Sequence, residues 1–302
     1  MSALKRPGIS YRAVFSVFFG MLLVALTAGG MLYFGKLHYV PKATQHVPAS
    51  AVVVARLSVE RVGLFDPART HLMPLVDSVG DRPGLESRRA RLERAGKLEF
   101  NVDLREVAVG LGPGPEDWVL VFGGMFPRAN WLGPLAELLE QEGRSGALKD
   151  GVWVDSGGFV LAQASDGCVL VASSQAQLGA ALPAASAPPG AAPRSDIELW
   201  LRPGGAQWLR GKGLALPDGL ESLRGVAAGT GADLEAQVGP SSAKAVSAEM
   251  SRLGAENLAL QGTAIHARLP REGLDRAAAE FAAWLKPRLG VASIDVGRAK
   301  TR

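Results

Sequence analysis

The 302-residue sequence predicts an α+β protein, with an N-terminal transmembrane helix followed by two related, layered sheet-plus-helix units. Two observations lead to this fold class. An uncharged apolar run near the N-terminus is long enough to cross a bilayer. Beyond it, short apolar strands separated by Gly-rich turns alternate with helical patterns, and this order favours mainly antiparallel hairpins over a doubly wound parallel sheet.

The charge of the chain is divided between these two parts. Residues 1–42 contain 5 basic residues and no acid, whereas residues 43–302 contain 28 basic and 29 acidic residues. The sequence pI of 9.4 therefore comes from the segment that flanks the apolar run. Because the remaining body has no surplus of Lys and Arg, we expect no nucleic-acid partner.

The apolar run extends from Val14 to Phe34, between Arg12 and Lys36. At about 1.5 Å per residue, a helix of this length spans a hydrocarbon core of roughly 30 Å. A cleaved signal peptide is the alternative, but its apolar core is usually only about 7–15 residues long. We therefore expect a cytoplasmic tail (1–12), a signal-anchor helix (13–35) in a bacterial inner membrane, a connector (36–49) and a periplasmic body.

The first exported unit is predicted over residues 50–182. Helical patterns follow its first strand up to residue 97 and recur at 131–139 and 175–182. Strands are expected at 51–59, 106–111, 118–122, 152–154, 159–164 and 168–172.

A Pro/Ala-rich segment, residues 183–195, is the predicted linker to a second unit at 196–296, followed by a short tail at 297–302. The segment RGVAAGTG from Arg224 echoes REVAVGLG from Arg105, which suggests an internal duplication. The second unit is expected to contain one long strand at 257–270 and a helix at 274–285.

Candidate catalytic and metal-binding residues are few. Cys168 is the only cysteine, which argues against a redox pair, a cysteine-based zinc site and an iron–sulfur cluster. The four histidines, at positions 38, 46, 71 and 266, have no acidic neighbours at metal-site spacing, so each is expected to be a surface or half-buried residue. Ser241 and Lys244 fit the S-x-x-K spacing of a serine nucleophile, but Ser241 follows Gly-Pro and is better explained as a helix N-cap. We therefore expect no catalytic, cofactor or metal site.

One basic cluster is a candidate anionic contact. Six basic residues within one predicted helical stretch meet only Glu86 and Glu93; they are Arg82, Arg88, Arg89, Arg91, Arg94 and Lys97. Anionic lipid headgroups or an acidic partner would suit this charge, and a solvated helix face is the alternative.

The segment VPASAVVVARLSVER at 47–61, which contains the first predicted strand, and the strand-turn-strand segment FVLAQASDGCVLVASS at 159–174 follow the predicted anchor. Over residues 47–182 this order resembles uncharacterised membrane-anchored bacterial cell-envelope proteins, a resemblance that implies no catalytic residues. The expected function is a non-enzymatic structural or accessory binding component of an envelope assembly, with the membrane and an envelope protein as partners. The alternatives are an exported protein that binds a lipid or other small apolar ligand, and a divergent envelope hydrolase using Ser241 or His266.

Overall fold

The computed structural model describes residues 39–62, 66–72, 74, 87–97, 99–126, 132–141, 143–182 and 195–287. The predicted span from Val14 to Phe34 lies outside these residues. Within them, no helix combines the length and the apolar character that crossing a membrane requires. The body described below belongs to the compact unit that begins at Pro41.

The twelve strands of the described residues form one antiparallel sheet. They are β1 Val53–Ser58, β2 Leu104–Leu111, β3 Trp118–Gly124, β4 Gly146–Lys149, β5 Val152–Asp155, β6 Val160–Gln163, β7 Val169–Ala172, β8 Ile197–Leu201, β9 Leu220–Ala228, β10 Gly231–Val238, β11 Glu256–Gln261 and β12 Ala264–Pro270. Their order across the sheet is β11-β12-β10-β9-β8-β1-β2-β3-β7-β6-β5-β4.

Helices lie between and after these strands. They are α1 Val59–Val62, α2 Arg88–Gly96, α3 Phe100–Asp103, α4 Leu132–Gln141, α5 Gln175–Ala181, α6 Gly205–Gly211, α7 Ala243–Arg252 and α8 Arg271–Leu285, together with a 3₁₀ turn at Ala43–His46 and a π-helical turn at Ala68–Leu72. The predicted mixture of helices and mainly antiparallel strands is confirmed.

The sheet is not divided into the two separate units that the sequence predicted. Strand β1 pairs with β2 on one side and with β8 on the other, so both halves share one continuous sheet. The long strand expected at 257–270 is instead the hairpin of β11 and β12. Its two-residue loop begins at Gly262, whose φ of 64° suits a residue without a Cβ. Strand β4 at the sheet edge was not expected from the sequence.

Both halves place their strands in a similar order, β1-β2-β3-β7-β6 in the first and β8-β9-β10-β12-β11 in the second. The cross-strand register nevertheless puts Arg224 on the sheet face that carries Glu106, whereas Arg105 points to the other face. An alignment of Arg105 with Arg224 would therefore exchange the two faces. The internal duplication and its boundaries stay predictions.

One face of the sheet, here called the Val53 face, is apolar across both halves. In the second half, Val53, Leu201, Ala236 and Ile265 pack against helices α6 and α7. In the first half, helix α4 covers the fully buried Trp153. Apolar residues that alternate along each strand are thereby removed from water, which is the main favourable term in folding.

The opposite face, here called the Arg56 face, is covered by the described residues only in the first half. Strands β2, β3, β6 and β7 bury small apolar side chains there beneath the 3₁₀ turn and helix α5. Leu178 and Ala181 of α5 and Ala43 of the turn belong to this cluster.

A buried ion network lies where the covered part of the Arg56 face ends. Arg56 in β1 donates from Nε to Glu106 Oε2 in β2 at 2.9 Å and from Nη1 to Glu198 Oε1 in β8 at 3.5 Å. Glu106 Oε1 accepts the backbone N–H groups of Lys42 and Ala43, at 2.5 and 2.8 Å. The carboxylate of Glu106 therefore joins the centre of the sheet to the start of the 3₁₀ turn.

The substitution Arg56→Met tests this network. It leaves the buried carboxylates of Glu106 and Glu198 without their cation, so we expect the free energy of unfolding to fall by about 3–5 kcal/mol. Urea unfolding followed by tryptophan fluorescence measures the change. The control Arg268→Met breaks an exposed pair with Asp233 on the same face and should cost less than about 1 kcal/mol. Equal effects of the two substitutions would contradict this account.

Candidate functional site

Beyond β8, no helix of the described residues covers the Arg56 face, and polar side chains replace apolar ones. Trp200, Arg224, Glu235 and His266 occupy successive register positions on the neighbouring strands β8, β9, β10 and β12. Neighbours in such a row lie about 5 Å apart. The sheet therefore presents an aromatic, a cationic, an anionic and a titratable side chain in one line.

An open groove of about 470 Å³ lies at the inner end of this row. Val54, Trp200 and Arg224 line it, together with Thr44 of the 3₁₀ turn. Arg202, another lining residue, donates from Nη1 to the carbonyl oxygens of Ala49 at 2.7 Å and Ala51 at 3.1 Å. These bonds tie Arg202 to the segment that follows the 3₁₀ turn.

Two charged side chains of the groove are available for a ligand. Arg224 and Glu235 are exposed, and neither makes a side-chain hydrogen bond or an ion pair with another residue that the structure describes. Asp233 and Arg268 in the next row contact each other, with Oδ1 and Nη1 3.6 Å apart. The half-buried Trp200 lies beside Arg224, and Trp and Arg are the residue types most enriched at the energetic centres of protein interfaces.

A second cluster lies at the covered end of the same face. His46 is the last residue of the 3₁₀ turn, while Asp166 and Cys168 belong to the turn between β6 and β7. Asp166 Oδ2 is 3.1 Å from His46 Nε2 and 3.6 Å from Cys168 Sγ. His46 Nδ1 is 2.8 Å from the carbonyl oxygen of Ala181, so it carries the proton of that hydrogen bond. One ligand-type atom from each of the three side chains lies within 4.8 Å of the other two, a mixed nitrogen, oxygen and sulfur set that could hold a metal ion.

The surroundings favour the charged forms of His46 and Asp166. Burial lowers the pKa of His46, but the hydrogen bonds to Asp166 and to the carbonyl of Ala181 outweigh it and raise the pKa above 6.5. Burial raises the pKa of Asp166, but the hydrogen bonds from His46 and the Cys168 amide outweigh it and hold the pKa well below 3.8. Without a bound metal ion, the two side chains therefore form an imidazolium–carboxylate pair between pH 3.8 and 6.5.

The thiol of Cys168 differs from an activated nucleophile. Burial is the largest cause that raises its pKa, and the charge of Asp166 raises it further. Catalytic cysteines instead have a lowered pKa and some exposure. Lys42 lies beside the cluster, with Nζ 3.7 Å from Asp166 Oδ2.

The structure separates the residues that the sequence singled out. Arg82 lies outside the described residues, and Arg88, Arg89, Arg91 and Arg94 belong to helix α2, with Lys97 at its C-cap. Helix α2 packs against α4 on the Val53 side of the sheet, the side opposite the groove.

Ser241 and His266, the residues of the alternative hydrolase, lie in different parts of the fold. Ser241 is exposed, and the N-cap of helix α7 is Ser242, whose side chain makes no capping hydrogen bond; the expected cap at Ser241 is wrong. His266 is half-buried in the row on the Arg56 face. The expectation of a surface or half-buried His46 without an acidic neighbour is wrong, because its acid is supplied by a turn 120 residues away.

Sequence reasoning missed the groove as well. Period-two alternation in β9 and β10 predicts that Arg224 and Glu235 lie on the sheet face opposite to the core residues. No local pattern pairs them with each other or with Trp200, because their alignment depends on the order of strands in the sheet.

The pair of His46 and Asp166 predicts a pH-dependent stability difference. Asp166→Asn should lower the free energy of unfolding by about 1.5–3 kcal/mol, the range for a hydrogen bond to a charged group. The difference from wild type should be largest between pH 3.8 and 6.5. It should shrink at higher pH as His46 loses its proton through its raised pKa, and at lower pH as Asp166 gains one.

Denaturation across this pH range measures the effect. The matched control is Asp275→Asn, which alters a His–Asp contact of 3.0 Å between His71 and an exposed carboxylate. That variant should lose less than about 1 kcal/mol. A pH-independent loss in Asp166→Asn would contradict the ion pair.

Comparison with known proteins gives a likeness in fold only. No family model and no curated protein matches the chain. Solved structures of TP0453 in crystal forms I, III and IV match at TM-scores of 0.49, 0.50 and 0.47, each at 13% identity. Forms I and III each cover 82% of this chain, with 99% and 100% of their own length, and form IV covers 80% with 97%. At this identity, the match to form III at 0.50 concerns the arrangement of strands and helices and carries no function.

Proposed function

We propose that the protein is a membrane-anchored, exported component of a bacterial cell envelope that acts by binding another envelope protein. The apolar run from Val14 to Phe34 supports the anchor, since its length suits a bilayer. The groove on the uncovered Arg56 face supports the binding role. That groove, lined by Arg224 and Trp200, is the observation that carries the proposal.

The uncovered face suits a protein surface better than an apolar ligand. The groove is open, and charged and amide side chains of Arg202, Arg224, Glu235 and Gln237 line it. A lipid would leave these polar groups without partners, which costs free energy. A protein partner can pair with them and cover the half-buried indole of Trp200.

Charge indicates which partner group the groove would take. Arg224 carries an exposed guanidinium with no ion pair among the described residues, and Glu235 is its cross-strand neighbour. A carboxylate of the partner would accept two parallel hydrogen bonds from Arg224, and a basic group beside it would meet Glu235. We therefore propose a partner segment with an acidic and a basic side chain close together.

Site-specific crosslinking in intact membranes tests this function. A photoreactive residue at position 222 or 237, both in the groove lining, should give one defined crosslinked species that mass spectrometry identifies. Adding Arg224→Glu should reduce its yield at least tenfold, because loss of an interfacial charge pair costs about 2–5 kcal/mol.

Lys244→Glu is the matched control. It makes the same charge reversal on an exposed residue of helix α7, which packs on the opposite Val53 face. The control should leave the crosslink unchanged. Equal losses in the two variants, or recovery of the chain only as a soluble monomer, would contradict the proposal.

A further inference from the structure

We propose that His46, Asp166 and Cys168 form a binding site for a divalent cation of the zinc type. Three different ligand atoms converge there: an imidazole nitrogen, a carboxylate oxygen and a thiol sulfur, all within 4.8 Å of one another. Zinc accepts each of these atoms, at about 2.0–2.3 Å, and a tetrahedral site therefore places its ligands roughly 3.5 Å apart.

Two ligand separations already meet this requirement. Asp166 Oδ2 lies 3.1 Å from His46 Nε2 and 3.6 Å from Cys168 Sγ. An ion between the three side chains would replace two protons, one on His46 Nε2 and one on Cys168 Sγ, and both would be released to solvent. These two separations differ from the tetrahedral value by a few tenths of an ångström, and the third, between His46 Nε2 and Cys168 Sγ, is within 4.8 Å.

The atoms behind the ligands hold them in the orientation that a metal needs. His46 Nδ1 donates to the carbonyl oxygen of Ala181 at 2.8 Å, and this arrangement leaves Nε2 as the metal-facing nitrogen. The backbone N–H of Cys168 donates to Asp166 Oδ1 at 2.9 Å, so that Oδ2 is the oxygen directed at the other two ligands. Such outer contacts are typical of metal-bound histidines and carboxylates.

Burial and charge also suit a cation. The side chains of His46 and Cys168 are 1% and 0% exposed, while that of Asp166 is 25% exposed and gives access from solvent. A carboxylate and a metal-bound thiolate together balance the charge of a divalent ion. Lys42 is the opposing charge; its ammonium also donates to the backbone carbonyl oxygen of Asp166, and its side chain is 25% exposed.

Cobalt(II) titration of the purified wild-type chain tests the site directly. Because Cys168 is the only cysteine, a thiolate-to-cobalt absorption band in thiol-free buffer assigns that residue as a ligand. We expect the band to saturate at one ion per chain and to be abolished by excess zinc. Absence of the band at saturating cobalt would overturn the proposal.

Variants then separate ligands from neighbours. His46→Gln should weaken binding by at least tenfold, whereas Lys42→Met should bind as well as wild type or more tightly, because it removes a competing cation. Weaker binding in Lys42→Met together with unchanged binding in His46→Gln would overturn the assignment. The site is independent of the proposed partner groove, since the two share no residue, and either proposal can fail alone.

Discussion

The pairing of buried Arg56 with Glu106 and Glu198 is the constraint on which the rest of the structure depends. A guanidinium that is 2% exposed requires carboxylates on both neighbouring strands, and these belong to the two halves of the chain. Strand β1 is thereby placed between β2 and β8. The remaining oxygen of Glu106 accepts the amides of Lys42 and Ala43, which fixes the 3₁₀ turn over the first half of the sheet.

The position of that turn determines where the two candidate sites lie on the Arg56 face. On its inner side the turn presses His46 against the β6–β7 turn and helix α5, and this contact assembles the cluster with Asp166 and Cys168. Thr44 of the same turn lines the groove that contains Trp200 and Arg224. One buried network thus separates a closed, preorganised cluster from an open contact surface.

Much of the fold is predictable because local patterns carry it. Alternation of apolar residues identified most strands, and the Gly-rich turns identified the hairpins of β2 with β3 and β9 with β10. The error at 257–270 has a local cause, since a two-residue loop at Gly262 interrupts a run that is otherwise rich in strand-forming residues. The candidate sites were not predictable, because Asp166 and His46 are 120 residues apart in the chain and Arg224 meets Trp200 only across β8 and β9.

The sequence by itself determined the class of the fold, the antiparallel hairpins and the separation of a basic, apolar N-terminal segment from a nearly neutral body. Those properties depend on composition and on the spacing of apolar residues at two to four positions, which residues close together in the chain determine. Only the tertiary structure decided that both halves share one sheet, that the described helices cover one face of its second half, and that a histidine, an aspartate and the single cysteine converge. These outcomes depend on strand order and register, which are set by the burial of the whole sheet and of charges such as Arg56.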